Sequence, residues 1–229
     1  MDDVGECGKM VFSNLFFIYL FLPLNLILYF ISKNKTWRNV VLLLFSLFFY
    51  AWGEPVWVFL LMITAFLDYL WARCIEYFKR SGNNFRAKVA LAASLVFDLG
   101  MLGVFKYSGF VVENMNLLTG LSLPVPQIAL PIGISFYTFQ TISYVVDVYC
   151  GQVAAQKQYY KYLMYLSSFH QLVAGPIVRY SDVAAEIENR RTTARDMSEG
   201  ITRLCVGLGK KVLVANVAGK LVAQYLDAP

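Results

Sequence analysis

The sequence LPIGISFYTFQTISYVVDVY (Leu130–Tyr149) is followed further along the chain by FHQLVAGPIVRY (Phe169–Tyr180). Both segments are apolar, but the second contains Gly175-Pro176, Arg179 and His170, the only histidine in the chain. Residues that break a helix or carry charge are costly at membrane depth unless they line a cavity enclosed by protein. The pattern therefore predicts a functional site inside a membrane protein, and it is not typical of a soluble core.

The composition supports this interpretation. Of the 229 residues, 58% are hydrophobic and 15% are charged, whereas soluble domains carry about 25% charged residues. Several apolar runs approach the roughly 20 residues that a helix needs to cross a bilayer. No small-residue cleavage site follows the first run, which predicts a retained helix rather than a signal peptide. We expect an all-α, polytopic transmembrane helical bundle.

The basic residues lie in short patches between the apolar runs, and the formal net charge is +5. Cytoplasmic membrane loops have this distribution, so the charge does not indicate a nucleic-acid-binding protein. The four cysteines, Cys7, Cys74, Cys150 and Cys205, show no paired spacing. We expect neither a disulfide framework nor a metal site.

The apolar runs predict the membrane-crossing segments. Glu54 and Pro55 interrupt the run Val40–Trp71, and proline disfavours helix in the residue before it. This run predicts a helical hairpin with a short first arm and a turn at Trp52–Pro55. Ser108–Gln127 is predicted to be an interfacial segment followed by a loop. The other crossing segments are predicted at Val11–Ile31, Val89–Phe105 and Ile128–Tyr149.

Tyr160–Val178 is apolar, but Gly175-Pro176 offers a place for the chain to turn back. If this segment is re-entrant, 18 of the 20 Lys and Arg residues share one side, all but Lys9 and Lys106. A full crossing would move the eight basic residues from Arg179 onward to the other side, against the positive-inside rule. The charge distribution favours a re-entrant segment.

Near-helical spacing of apolar residues predicts a C-terminal helix from Met197 to Tyr225. The intervening Arg and Lys residues favour a position at the cytoplasmic interface, against anionic lipid head groups. Packing on further protein is the alternative.

His170 is a candidate catalytic residue, because an imidazole transfers protons near neutral pH. The alternative is a histidine that hydrogen-bonds to the backbone within a broken helix. No second histidine, and no Cys or Ser in a nucleophile arrangement, supports the catalytic interpretation. Arg179 also has two interpretations, a ligand for an anionic phosphate or an anchor at the membrane edge.

Three aspartates, Asp68, Asp98 and Asp147, lie within or near the ends of apolar runs, where an unpaired carboxylate costs about 3 kcal/mol. Such residues line a polar tunnel or proton path, or they are structural charges held by a partner. We favour structural pairing for Asp98. For Asp147 both interpretations stay open, with tyrosine hydroxyls or Arg179 as partners. Gly133 and its small neighbours indicate close helix packing.

Six motifs occur in order along the chain: MVFSNLFFIYLFLPLNLILYF (Met10–Phe30), RNVVLLLFSLFFYAWGEPVWVFLL (Arg38–Leu61), FKYSGF (Phe105–Phe110), LPIGISFYTFQTISYVVDVY (Leu130–Tyr149), LVAGPIVRYSD (Leu172–Asp182) and GLGKKVLVAN (Gly207–Asn216). At these motifs the chain resembles the membrane-bound O-acyltransferase (MBOAT) family. The branch it resembles contains the membrane subunit of alginate O-acetyltransferase and peptidoglycan-acetylating relatives.

The resemblance implies that an acyl group from a cytoplasmic donor, acetyl-CoA or another acyl donor, passes through a membrane-embedded tunnel. Periplasmic acetyl-transfer proteins and an exported polysaccharide such as alginate are the implied partners. It also implies a multi-pass protein of the bacterial inner membrane, without a metal or a covalently bound cofactor. The residues we expect to line the tunnel or substrate site are Asp147, Gln171, Gly175, Pro176, Arg179 and Tyr180.

Two departures from the family pattern limit what the resemblance implies. The family's catalytic histidine lies in a tryptophan-containing motif downstream of GLGKKVLVAN, so residues 10–229 are expected to be the N-terminal part of one incomplete MBOAT-type domain. His170 occupies a position where relatives carry proline, which leaves it a weak catalytic candidate. The family start matches Met10, so residues 1–9 are expected to be a polar N-terminal extension.

We therefore expect an O-acyltransferase fragment that is inactive alone, because it lacks a catalytic histidine. One alternative is a small transporter or channel whose polar intramembrane residues line a pore, although the chain lacks the internal repeat common in transporters. Another alternative is a truncated, non-catalytic scaffold.

Overall fold

The structure is a computed structural model that describes residues 12, 14–120, 122–126, 128–172 and 175–226. These residues form helices and connecting loops, with no strand among them. The helices are α1 (Leu22–Ile31, preceded by a π-helical turn at Phe17–Phe21), α2 (Lys35–Gly53), α3 (Trp57–Arg80), α4 (Asn84–Thr119), α5 (Ile134–Cys150), α6 (Tyr159–Ser167), α7 (Phe169–Leu172), α8 (Tyr180–Asn189), α9 (Ala194–Gly209) and α10 (Asn216–Leu226), with a π-helical segment at Lys210–Ala215 between the last two. The all-α prediction is confirmed. The predicted extension, residues 1–9, and Met10 lie outside the described residues.

The predicted hairpin in the run from Val40 is confirmed. α2 ends at Gly53 and α3 begins at Trp57, since Pro55 cannot continue the ladder of helical hydrogen bonds. The first arm is longer than expected. It begins at Lys35 because the Asn34 side chain caps it, accepting a hydrogen bond from the Thr36 N–H at 2.9 Å.

The prediction for residues 106–119 is wrong. We expected a crossing segment that ends near Phe105, but α4 continues through Lys106 to Thr119. α4 contains no proline, so the helix continues until Gly120, whose left-handed φ of 68° ends it. The Asn116 side chain then bonds the backbone of Leu123 at 2.8 and 2.9 Å and closes the turn.

The core lies where α3, α4 and α5 pack together and where α6 packs against α2 and α3. Large side chains fill it, among them Leu61, Ile75, Tyr137, Tyr144 and Tyr162. By length and apolar composition, α3 and α4 are each able to cross a membrane, whereas the apolar helix Phe17–Ile31 is shorter. Many large apolar side chains face outward on α1 to α4, including Ile27, Leu44, Phe59 and Val96. Such a surface suits lipid better than water.

The basic links meet at one end of the bundle. The contacts that join them are Lys35 with Asn189 (2.7 Å), the Tyr69 hydroxyl with the Lys157 carbonyl (2.9 Å), Lys79 with the Tyr149 carbonyl, and Lys161 with Glu188 (2.6 Å). The opposite end holds the turn after Gly53, where the Tyr50 hydroxyl donates to the Ile132 carbonyl at 3.0 Å. The basic links therefore lie at one end of the bundle, called the basic end below, and the turn after Gly53 lies at the opposite end.

The predicted C-terminal helix is present and begins three residues earlier than expected, at Ala194. A capping box between Thr193 and Asp196 fixes its start. Together with the π-helical segment it continues to Leu226, and none of the described residues of α9 or the π-helical segment is buried.

Candidate functional site

Asp147 and Arg179 form an ion pair at the basic end of α5. Asp147 lies one turn before the end of α5 and is buried, whereas the Arg179 side chain, just before α8, is half exposed. The same guanidinium donates to Gln152 Oε1 at 3.3 Å. Of the two partners proposed for Asp147, the structure shows Arg179. The other carboxylate oxygen, Oδ2, is buried without a hydrogen-bond partner among the described residues.

A cluster of four tyrosines lies beside this pair. The ring of Tyr144 is 4.7 Å from that of Tyr162 and 4.8 Å from that of Tyr180, measured between centroids, and Tyr165 lies 5.2 Å from Tyr180. Gln156 connects the cluster, since its backbone N–H donates to the Tyr144 hydroxyl and its side chain donates to the Tyr180 hydroxyl, each at 2.9 Å. Buried tyrosines with satisfied hydroxyls form a rigid support.

Gln156 also reaches Glu188 at 3.2 Å, and Glu188 forms an ion pair with Lys161. The Lys161 ammonium holds the pKa of the Glu188 carboxyl below its usual range. These contacts fix the end of α8 to the start of α6.

A cavity of about 400 Å³ lies on the other side of Tyr165, between α1, α2 and the segment from α6 to α8. Its polar lining includes Asn25, Tyr29, His170, Gln171, Glu186 and Arg190. The Gln171 side chain donates to the Tyr165 carbonyl at 2.6 Å, and the Arg190 guanidinium donates to the Tyr29 hydroxyl at 3.4 Å. The Asn25 amide nitrogen is buried and has no partner among the described residues. Asn25 therefore brings a buried amide without a hydrogen-bond partner to the wall of the cavity.

His170 lies at this cavity and packs edge-on against Phe169, with ring centroids 5.4 Å apart. Phe169 belongs to a phenylalanine cluster with Phe17, Phe21 and Phe49. Among the described residues, no side-chain hydrogen bond of His170 is present.

Gly175 and Pro176 interrupt the helical structure, as expected. The chain is non-helical from Gly175 to Arg179, and Gly175 adopts a φ of 127° that favours glycine. Both residues are exposed. Their predicted role in a tunnel wall stays a prediction, and Val173 and Ala174 before them lie outside the described residues.

Gly133 fixes the position of this broken segment. Its φ is +77°, and a Cβ at this position would lie 2.6 Å from the Leu172 carbonyl oxygen. The backbone before α5 therefore approaches the end of α7 as closely as glycine allows, which confirms the expectation of close packing at Gly133.

Of the six predicted lining residues, the structure joins Asp147 with Arg179 and places Tyr180 in the adjacent tyrosine cluster. Gln171 lies at the cavity instead. Sequence reasoning missed Asn25, Tyr29, Glu186 and Arg190, which come from segments far apart in the chain. The one sequence feature that could have indicated the cavity is Asn25 itself, a polar residue inside an apolar run.

Asp98 has a partner that the sequence did not indicate. Its carboxyl group faces that of Asp68, and no Lys or Arg pairs with either carboxylate in the part of the chain that the structure describes. Within the same residues, no group of three or more His, Cys, Asp and Glu side chains is placed to hold a metal ion.

Comparison with known proteins identifies relatives over nearly the whole chain. The probable alginate O-acetylase AlgI of Pseudomonas syringae pv. tomato is 37% identical over 226 residues, which is 96% of this chain and 42% of the relative. That of Pseudomonas aeruginosa is 37% identical over 218 residues, 93% of this chain and 41% of the relative. A peptidoglycan O-acetyltransferase of Helicobacter pylori is 29% identical over 238 residues, 90% of this chain and 45% of the relative.

No family model matches the chain, and no solved structure is significantly similar to it. The matches along nearly the whole chain to alginate O-acetylases nevertheless confirm the resemblance to the membrane-bound O-acyltransferase family that the six motifs indicate. It spans less than half the length of the curated relatives that it matches. This partial coverage agrees with the expectation that it contains one part of the family domain.

Proposed function

We propose that the chain forms part of a membrane-embedded O-acetyltransferase that passes an acetyl group from a cytoplasmic donor to an exported polysaccharide such as alginate. The observation that carries this proposal is the 37% identity to alginate O-acetylases along 96% of the chain. In this reaction the C–S bond of a thioester donor such as acetyl-CoA breaks and a C–O bond to the polysaccharide forms. The proton of the acceptor hydroxyl ends on the released thiol.

The proposed topology is multi-pass in the bacterial inner membrane, with the basic end of the bundle in the cytoplasm. Residues 160–178 are proposed to be re-entrant. Two observations support this proposal: α6 has nine residues, which span about 14 Å, or half of the hydrocarbon core, and Lys161 at its start pairs with Glu188 after the segment at 2.6 Å. A chain that enters and returns at one face would bring these residues together.

The cavity lined by Asn25 and Gln171 is the proposed binding site for the acyl donor's reactive end. It lies near the basic end, because Arg190 contacts Tyr29 while the neighbouring Asn189 contacts Lys35. A buried, unpartnered amide donor is suited to bind an acyl carbonyl oxygen. The surrounding basic residues attract a polyanionic acyl carrier such as a coenzyme.

No residue of this chain is proposed as the catalytic base. His170 lies at the cavity, but its position in the motif is not that of the family's catalytic histidine. We propose that the chain alone is inactive and that chemistry requires a histidine from the remainder of the family domain. Periplasmic acetyl-transfer proteins are the proposed partners on the other side.

A chimera tests the proposed function. The segment of the P. aeruginosa alginate O-acetylase that aligns with this chain is replaced by this chain, and alginate acetyl content is measured in a strain that lacks its own enzyme. We expect the chimera to restore acetylation and the chain alone to restore none. Within the chimera, Asn25→Leu is expected to lower acetylation strongly, and His170→Ala is expected to preserve it.

Three results would count against the proposal. A chimera that inserts into the membrane at normal abundance without acetylating alginate would refute the family role. Activity of the chain alone that His170→Ala abolishes would make His170 catalytic. Unchanged activity of Asn25→Leu would exclude the cavity as the donor site, and the exposed Tyr19→Leu serves as its matched control on the same apolar run.

A further inference from the structure

Two carboxyl groups face each other in the middle of the helical bundle. Asp68 lies halfway along α3 and Asp98 lies in the central part of α4, the two helices with the length and composition to cross a membrane. Their exposed fractions are 1% and 2%. The two carboxyl groups are neighbours where α3 packs on α4, and no basic side chain among the described residues forms an ion pair with either of them.

Two ionised carboxylates cannot remain in contact in such a place. Like charges repel strongly where the effective dielectric constant is low, and each unpaired charge also loses its hydration. Paired carboxyl groups in proteins resolve this conflict by sharing one proton. A hydrogen bond between two carboxyl groups itself requires a proton, because two carboxylates offer acceptors and no donor.

The surroundings supply hydroxyl groups and no cation. The Thr141 hydroxyl of α5 lies against the Asp68 carboxyl and accepts a hydrogen bond from the Tyr162 hydroxyl of α6 at 3.3 Å. Tyr137 of α5 is the second titratable neighbour of Asp68. The titratable groups that face the pair from the helices around it are therefore phenols, which are neutral near pH 7.

Several polar atoms in this region are buried and have no hydrogen-bond partner among the described residues. They are Asp68 Oδ1, Asp98 Oδ2, the Tyr137 hydroxyl and the hydroxyl of Ser94, which precedes Asp98 by one turn of α4. Buried polar atoms without partners are rare in folded proteins and require an explanation. A carboxyl pair that binds and releases a proton explains these atoms. Its free oxygens can accept hydrogen bonds from the hydroxyl groups or water molecules that carry the proton to it.

The hydroxyls are arranged on both sides of the pair along the bundle. Tyr162 lies in the first turn of α6, towards the basic end. Tyr137 lies in the first turn of α5, near Tyr50, whose hydroxyl bonds the Ile132 carbonyl at the opposite end. Hydroxyl-bearing side chains of α5 and α6 thus lie next to the carboxyl pair.

We propose that Asp68 and Asp98 form a proton-binding site at the centre of the bundle, in which one proton is shared between the two carboxyl groups. The site binds and releases H⁺ and forms no other bond. A metal cation is a poorer occupant, since the carboxyl groups contact each other directly and cations such as Ca²⁺ and Mg²⁺ require six or more oxygen ligands. The site is inferred from this chain alone and does not depend on acetyl transfer.

Infrared spectroscopy of the purified 229-residue protein in lipid nanodiscs tests this site. The carbonyl stretch of a protonated carboxylic acid is separate from the carboxylate bands. At pH 7 we expect a protonated-acid signal of one group per molecule in the wild type, and none in the double variant Asp68→Asn/Asp98→Asn, which has no carboxyl group left at this place. Glu113→Gln, at an exposed position of α4, is the control that keeps the signal.

The wild-type sample gives a second measurement that needs no variant. As the pH rises, the protonated-acid signal is expected to disappear in a single step of one proton, and adding Na⁺, Mg²⁺ or Ca²⁺ at constant pH is expected to leave it unchanged. No protonated-acid signal in the wild type would overturn the proposal. A signal that persists in the double variant, or that cations remove, would overturn it as well. Circular dichroism and gel filtration confirm that each variant is folded.

Discussion

Replacing Gly133 by alanine tests the contact that positions the broken segment against α5. Gly133 has a φ of +77°, and the new Cβ would lie 2.6 Å from the Leu172 carbonyl oxygen. The left-handed conformation costs alanine about 1–2 kcal/mol, and overpacking against a backbone atom adds about 1–3 kcal/mol. We therefore expect Gly133→Ala to lower the free energy of unfolding by about 2–5 kcal/mol.

Gly151 at the other end of α5 provides a matched control. Its φ is +78°, and a Cβ there would meet nothing within 4 Å. Gly151→Ala should therefore lower the free energy of unfolding only by the cost of the left-handed conformation, about 1–2 kcal/mol. The difference between the two variants isolates the contact with Leu172.

The assay is equilibrium unfolding of both variants and the wild type in mixed detergent micelles, monitored by circular dichroism. The expected order of stability is wild type, Gly151→Ala and then Gly133→Ala. Equal losses in the two variants would refute the reasoning, because they would show that the backbone before α5 does not approach the Leu172 carbonyl.

Three further predictions concern the basic end and the C-terminal helix. Arg179→Met should lower the thermal midpoint more than Asp147→Asn, because it leaves a buried carboxylate without its cation; gel-filtration melts measure this, and the reverse order would contradict it. Since Lys161 lowers the pKa of Glu188, their contribution to stability is complete above the ordinary Glu pKa of about 4.3 and is lost as the pH falls through the lowered folded-state pKa. In Glu188→Gln the thermal midpoint should not show this fall at acid pH. If the midpoints of wild type and variant change with pH in parallel, the ion pair does not contribute to stability. Thr193→Ala removes the cap of α9 and should destabilise that helix by about 1 kcal/mol, seen as faster hydrogen exchange in its first turn; unchanged exchange would mean that the capping box does not hold the helix start.

Local chemistry made part of the fold predictable from the sequence. Pro55 marks the hairpin turn because proline restricts both itself and the residue before it. Gly175-Pro176 marks the break in the segment that begins near Tyr160 for a similar reason. Lys106 marks the end of a hydrophobic segment but not the end of α4, because a charged residue does not terminate a helix.

Contacts between distant segments were less predictable. The partnership of Asp147 with Arg179 was one of two open interpretations, since both residues stood out as charges beside apolar runs. The cavity could not be predicted, because it combines side chains of α1 with those of α7 and α8 that only the fold brings together. The pairing of Asp68 with Asp98 could not be predicted either, since the register between α3 and α4 is set by packing and not by charge.

The proposed function depends on membrane topology, because the donor cavity must lie on the cytoplasmic side. Cys150 and Cys205 flank the segment 160–178 and are exposed, so they report whether the chain crosses the membrane between them. Three variants are expressed: one that keeps only Cys150, one that keeps only Cys205, and Glu54→Cys without any native cysteine. A membrane-impermeant maleimide is then added to the cells from the periplasmic side. We predict that Glu54→Cys reacts in intact spheroplasts, whereas Cys150 and Cys205 react only after permeabilisation. Labelling of Cys205 but not Cys150 in intact spheroplasts would show that the segment crosses fully and would contradict the account.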